Sequence, residues 1–319
     1  MTRLARQDSH VGKLASALDQ ALALLREFPV DGPTATHPVE SPETLLDQCV
    51  DMVTEHSEMP QEPIRTVHHM ACTGGTLITK CLAAMPNTQV ISEVDPLSDI
   101  GHRDPGPKFA PTDMIQLMRQ STRGADAALL VDMFLANLDL IQAAAVARGQ
   151  RLILRDHSHS HFCVGTSIPD RPAFLSIVSS RFPVRSIVTV RDPIDSFLSL
   201  LANRRAHGGG WIHFDPPTFE EYCRRYQAFL DAHSNLPIIK YELFVTSPTD
   251  VMRQMCDALD LAFNEHFEEV FNLFSITGDS GRKSDVIGSR GRRAEDEEEV
   301  ERLLVTPGCA ELRQRLGYR

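Results

Sequence analysis

Apolar, strand-like runs alternate with helical patterns through most of this chain, and that alternation constrains its fold more than any other feature. The runs are 64–70 (IRTVHHM), 89–92 (QVIS), 151–155 (RLILR), 185–190 (RSIVTV) and 236–240 (LPIIK). Helical patterns fall at 76–85, 112–121, 126–148, 171–181, 193–205 and 218–233. Strands alternating with helices predict an α/β fold with a parallel sheet flanked by helices on both faces. Such sheets bind ligands beyond the carboxyl ends of their strands. The segments to read are therefore those that follow each run: ACTGGT, EVDP, DHSHSH, RDP and YELF. Two long stretches, 206–217 and 277–293, read as loops of the kind that serve as lids.

The N-terminal part has a different texture. Leu4, Val11, Leu14, Leu18, Leu22 and Leu25 recur at helical spacing, and a Pro-rich linker follows at 31–43. A second short helix is expected over 42–56. The sequence thus divides into an N-terminal helical extension and linker, 1–60, and an α/β domain, 61–319. The formal net charge of −11 argues against broad nucleic-acid or anionic-membrane binding, while leaving room for a small anion in a local basic pocket. The acidic run 295–301 reads as a solvated helix face. No stretch approaches 18 apolar residues, so no membrane span is expected. Seven widely spaced cysteines without a C-x-x-C, and no clear secretory signal, suggest reduced thiols in a cytoplasmic protein.

Three motifs carry anion chemistry. The first, Thr73-Gly74-Gly75-Thr76-Leu77, lies between a strand and a helix, where unpaired N–H groups and the helix dipole favour a phosphate. It is not a Walker A loop, because Lys80 is followed by Cys81 rather than Ser or Thr. The second is Arg191-Asp192-Pro193 at the end of a strand. Asp192 suits a helix cap and Pro193 the first turn. Ser199, two turns on, falls on the face under Asp192, so Arg191 and Ser199 can converge on one phosphate. An ordinary capped helix with a structural arginine would read the same way. The third is SGRKSD at 280–285, with the cations Arg282 and Lys283.

In this order the three motifs resemble those of the sulfotransferases that use 3′-phosphoadenosine 5′-phosphosulfate (PAPS), over roughly 61–290. The resemblance implies a P-loop NTPase-like fold and PAPS as co-substrate, leaving 3′-phosphoadenosine 5′-phosphate (PAP), with no metal expected. It implies that Thr73, Gly74, Gly75, Thr76 and Leu77 cradle the 5′-phosphosulfate, and that Arg191, Ser199, Arg282 and Lys283 hold the 3′-phosphate. Family loops usually carry Lys or Arg two residues before the first loop glycine; Cys72 stands there in this sequence. His69, Arg65, Arg155 and Lys80 are the candidates for its role.

Sulfuryl transfer needs in-line placement, removal of the acceptor's proton and stabilisation of the leaving phosphate. Arg155-Asp156-His157 resembles the family's Lys-x-His, which assigns His157 as base and Arg155 to the transferring group. Glu93, after the second run, is the rival base or an acceptor-binding group. In an extended chain His157, His159 and His161 would share one side, as metal ligands or as loop histidines with structural hydrogen bonds. His68 and His69, alternating along a strand, must face opposite sides of it. Trp211 sits in the glycine-rich loop as a stacking residue or as packing. The expected acceptor is a hydroxyl or amine of a small molecule or glycan. A nucleotide-dependent kinase with a divergent P-loop and a non-catalytic PAP-binding relative are the alternatives. Acceptor identity and oligomeric state are not legible.

Overall fold

The computed structural model describes residues 61–100, 109–206, 214–278, 286–289, 291–292 and 297–318. All belong to one compact unit, Pro60–Arg319. The helices expected at 10–28 and 42–56, Trp211, and Arg282 with Lys283 lie outside the described residues.

Five strands form one parallel sheet: β1 (Ile64–His69), β2 (Thr88–Val94), β3 (Arg151–Asp156), β4 (Val184–Val190) and β5 (Ile238–Lys240). Their order is β2-β3-β1-β4-β5. The chain leaves β1 towards β2 on one side and β4 towards β5 on the other. The carboxyl ends of β1 and β4 therefore flank a switch point, where α/β sheets take ligands. β1 and β4 are in register from Ile64↔Val184 to His69↔Thr189.

Alternation assigns the two faces. Val67, Ile153 and Ile187 pack with α1 (Gly75–Ala83) and with Met252, Met255 and Leu259 of a later helix, Pro248–Leu259. Ile64, Leu152 and Leu154 pack on the opposite face against Leu135 and Leu138, and against Phe174 and Ile177. Those side chains come from α3 (Ala127–Val146) and α5 (Phe174–Ser179). α2 (Met114–Arg119) precedes α3 in sequence, and the short α4 (His159–Phe162) lies between α3 and α5. α6 (Pro193–Ala206) and α7 (Phe219–Ala232) complete the opposite face beside β4. Helices thus cover both faces of the sheet, as the alternation predicts.

α3 is the helix that bears on the expectation of no membrane span. Its 18-residue window has a mean hydropathy of 1.7, so by length and composition it is long enough to cross a membrane. Asp132 and Asp139 interrupt the apolar run, which is why counting uninterrupted residues passes over it. Its inner stripe, Leu130, Leu135, Leu138 and Ala145, is buried in the core.

The later chain is helical: α8 (Tyr241–Thr246), α9 (Pro248–Leu259), α10 (Phe267–Val270), α11 (Glu297–Leu304) and α12 (Cys309–Arg315). Glu297, Glu298, Glu299 and Glu301 lie on α11, which has no buried residue, in keeping with a solvated face. None of the six described cysteines is in a disulfide.

Candidate active site

The glycine loop is built by close approach. After β1, the Thr73 hydroxyl donates to the Met70 carbonyl at 2.8 Å and closes the turn. Cys72 at φ 64° and Gly74 at φ 92° take left-handed backbone, which glycine alone adopts cheaply. A Cβ on Gly74 would stand 2.3 Å from the Tyr241 ring, and one on Gly75 would stand 2.5 Å from the His69 ring. Neither position has room for a side chain. α1 begins at Gly75, so the N–H groups of Gly75, Thr76 and Leu77 have no acceptor within the helix and point towards the loop with the positive end of its dipole. The Thr76 hydroxyl donates to the Gly278 carbonyl at 3.2 Å.

Across the switch point, β4 delivers Arg191. Its Nη1 donates to Ser199 Oγ at 3.1 Å and to the Cys72 carbonyl at 3.4 Å. Its guanidinium lies 4.9 Å from the centre of the Tyr241 ring, a cation–π distance. The buried Tyr226 hydroxyl fixes its backbone, accepting from Arg191 N–H at 3.1 Å. Asp192 caps α6 as its sequence suggests, accepting from Ile194 N–H at 2.9 Å. The other Asp192 oxygen pairs with Arg313 at 2.5 Å. Arg191 and Ser199 thus form a cationic, hydroxyl-bearing pair tied to the glycine loop.

The second cluster stands at the ends of β2 and β3. Arg155 is 2 % exposed. Its Nε donates to His69 Nε2 at 2.9 Å, its Nη1 to Ser92 Oγ at 3.0 Å, and its Nη2 pairs with Glu93 Oε1 at 2.5 Å. The other Glu93 oxygen lies 3.2 Å from His157 Nε2 and 3.1 Å from His159 Nε2. Glu93 reaches this position because the β2–β3 register shifts between Ile91 and Val94, with Glu93 itself at φ 61°. Burial alone would raise the Glu93 pKa. The hydrogen bond and charge of His159, with Arg155 and His69, outweigh it and hold the carboxyl well below its usual range. Glu93 is therefore a firmly ionised, weakly basic group. Burial pushes the His157 imidazole down to about 4, with His159 adding to the shift, so His157 is neutral near pH 7 and able to accept a proton. Burial and then Arg155 also take His69 well below its ordinary value. This fits its bonds: Nδ1–H donates to the Met70 carbonyl at 3.2 Å, and Nε2 accepts from Arg155.

His69 joins the two clusters, since it lies under Gly75 and holds Arg155. Of the four candidates for the role of a loop lysine, Arg155 and His69 adjoin the loop. Arg65 is committed to the Leu259 carbonyl at 2.9 Å and pairs with Glu62, at the other end of β1. Lys80 lies in the last turn of α1. His68 and His69 do face opposite sides of the sheet.

The three alternating histidines require a correction. The chain is not extended there: Ser158 starts a helical turn, and α4 follows. His157 and His159 meet at Glu93, whereas His161 stacks on Phe162 with ring centres 4.6 Å apart. His159, read as a metal ligand or a loop histidine, joins the site at Glu93. Ser92 joins it although the motifs did not single it out; its signal was its position beside Glu93 in β2. Thr277, at the start of the stretch 277–293, is also drawn in, because its carbonyl accepts from Arg155 Nη1 at 3.3 Å and from Ser92 Oγ at 3.1 Å.

A parallel α/β sheet with a glycine loop at its switch point defines a P-loop-like fold. A family model described as "Sulfotransferase family" matches residues 67–265, more than half of the chain. The chain belongs to the sulfotransferase family. Among solved structures, the sulfotransferase domain of the Synechococcus PCC 7002 olefin synthase aligns with a TM-score of 0.50 at 16% identity, covering 82% of this chain and 97% of that one. The sulfotransferase domain of the curacin biosynthetic pathway gives 0.48 at 16% identity, covering 82% and 99%. A Mycobacterium avium sulfotransferase gives 0.45 at 16%, covering 85% and 82%. At such identity the likeness speaks for the fold. No curated protein matches the sequence.

Proposed function

We propose that this sulfotransferase moves the sulfuryl group of PAPS to a hydroxyl or amine of a small-molecule or glycan acceptor, in a cytoplasmic setting. One observation carries the reading: a glycine loop at a helix N-terminus, bonded through the Cys72 carbonyl to the Arg191–Ser199 pair at 3.4 and 3.1 Å. Two neighbouring anion sites suit a donor with phosphate groups at both ends. PAPS supplies the sulfuryl group, joined to a phosphate that can leave as PAP.

The N–H groups of Gly74, Gly75, Thr76 and Leu77, with the Thr76 hydroxyl turned from the Gly278 carbonyl, receive the 5′-phosphosulfate, while Thr73 holds the turn beneath them. Arg191 and Ser199, joined by Arg282 and Lys283, take the 3′-phosphate. Arg155 supplies beside the loop the positive charge that Cys72 cannot, and it stabilises the phosphate oxygen as the S–O bond to it breaks. His157 accepts the acceptor's proton as the new S–O or S–N bond forms. Glu93, kept anionic, holds Arg155, His157 and His159 in place.

Thermal shift tests the donor. PAP should stabilise the protein clearly more than ATP with magnesium; an equal or reversed order would favour a nucleotide-dependent kinase. PAP binding without transfer to any acceptor and without PAPS hydrolysis would mark a non-catalytic relative.

A further inference from the structure

Opposite the candidate active site, on the other face of β1 and β3, lies a second polar cluster that sulfuryl transfer does not use. His68 Nδ1 is 2.7 Å from Asp156 Oδ2, and the His68 and His233 rings stand 4.5 Å apart. All three side chains are buried, at 0 %, 3 % and 4 % exposure. One ligating atom from each lies within 4.8 Å of the others. We propose that His68, Asp156 and His233 bind a zinc-type divalent cation, fixed in the core between β1, β3 and the end of α7.

The argument rests on how each ligand is held from behind. Metal-bound histidines commonly donate their second N–H to a carbonyl or other acceptor, which aims the remaining lone pair at the ion. His233 does this: its Nδ1–H donates to the Phe229 carbonyl at 2.7 Å, leaving a lone pair on Nε2. That Nε2 is buried without a hydrogen-bond partner. An unsatisfied buried acceptor is costly, and natural cores seldom keep one without a reason. His68 Nε2 is 2.8 Å from Thr66 Oγ1, which in turn is 2.7 Å from Ser186 Oγ, so its Nδ1 is the nitrogen turned towards Asp156, and an ion between them would replace the hydrogen the two atoms share at 2.7 Å. The Ser158 hydroxyl donates to Asp156 Oδ2 at 2.7 Å and orients the carboxylate. Phe162, Phe174 and Phe229 enclose the cluster. Two imidazoles and one carboxylate form a donor set suited to zinc, with water completing the tetrahedron. A site this enclosed would fill during folding, so the ion is structural and lies apart from the transfer chemistry. It departs from the expectation that the protein holds no metal.

The test is metal content. Tag-free protein from zinc-supplemented cells is passed through gel filtration with EDTA and analysed by elemental mass spectrometry. About one zinc per chain is expected. His233→Gln should fall below about a tenth of that, while His159→Ala, at the active-site cluster, should keep its zinc. Should His233→Gln fail to fold, cobalt-grown wild type and His159→Ala decide: both should show the same d–d absorption bands at one cobalt per chain. Metal-free wild type, zinc that survives in folded His233→Gln, or metal lost in folded His159→Ala would each overturn the proposal.

Discussion

Gly74 shows how little freedom the site allows at the scale of a residue. Alanine there meets both an unfavourable φ and the Tyr241 ring, so Gly74→Ala should cost roughly 1–3 kcal/mol in urea unfolding and abolish PAP binding. Alanine at Thr76 should be milder, because it removes a single hydroxyl. The base assignment is tested by turnover: His157→Ala should bind PAP normally and lose roughly 10²–10⁴-fold in kcat. Glu93→Gln should lose less, since its carboxylate is too weakly basic to take the proton. A dead Glu93→Gln beside a normal His157→Ala would move the role to Glu93. The residue scale was unevenly legible in the sequence. An eight-residue spacing on a helix predicts that Arg191 and Ser199 converge, because helix geometry is fixed. Glu93 and His159 meet through a register shift and a helical turn, neither of which leaves a local signature.

Among elements, the segment after β2 holds the histidine-bearing turn in place. Asp95 accepts from Arg171 Nη1 at 3.0 Å and Nη2 at 2.6 Å, and it also receives the Ser160 hydroxyl and, at 2.9 Å, the Leu97 N–H. Burial would raise the Asp95 pKa, but the hydrogen bond and charge of Arg171, then Ser160 and Leu97, bring it below its ordinary value. A depressed carboxyl stabilises the fold above its unfolded pKa, and that contribution is lost as pH falls through the folded value. Asp95→Asn should therefore cost about 2–4 kcal/mol at pH 7, where it leaves Arg171 without a counter-ion. The difference from wild type should narrow as pH drops below about 3.9, the ordinary aspartate value. Urea unfolding at pH 7 and near pH 3 reads both; a gap that stays constant would mean Asp95 acts through shape alone. Elements with strong periodicity, such as β1, α3 and α7, were plain in the sequence to within a few residues. The helices after β5 were not, because α8, α10 and α12 run only four to seven residues and hold their places through long-range contacts such as Arg313–Asp192.

For the whole molecule, the strand order β2-β3-β1-β4-β5 puts the ends of β1 and β4 side by side. The two anion sites of the account arise from that adjacency. Net charge is a poor guide here: a chain of −11 still gathers Arg155 and Arg191 around one loop. The central claim is that Arg191 and its neighbours read the donor's 3′-phosphate. Isothermal titration with PAP and with adenosine 5′-monophosphate, which lacks that phosphate, tests it most directly. Wild type should prefer PAP by about 100-fold or more, and Arg191→Ala should bring the two within a few fold, as expected for losing charge-assisted bonds worth about 1.5–3 kcal/mol each. Equal affinities in the wild type, or a preference that survives in Arg191→Ala, would contradict the account.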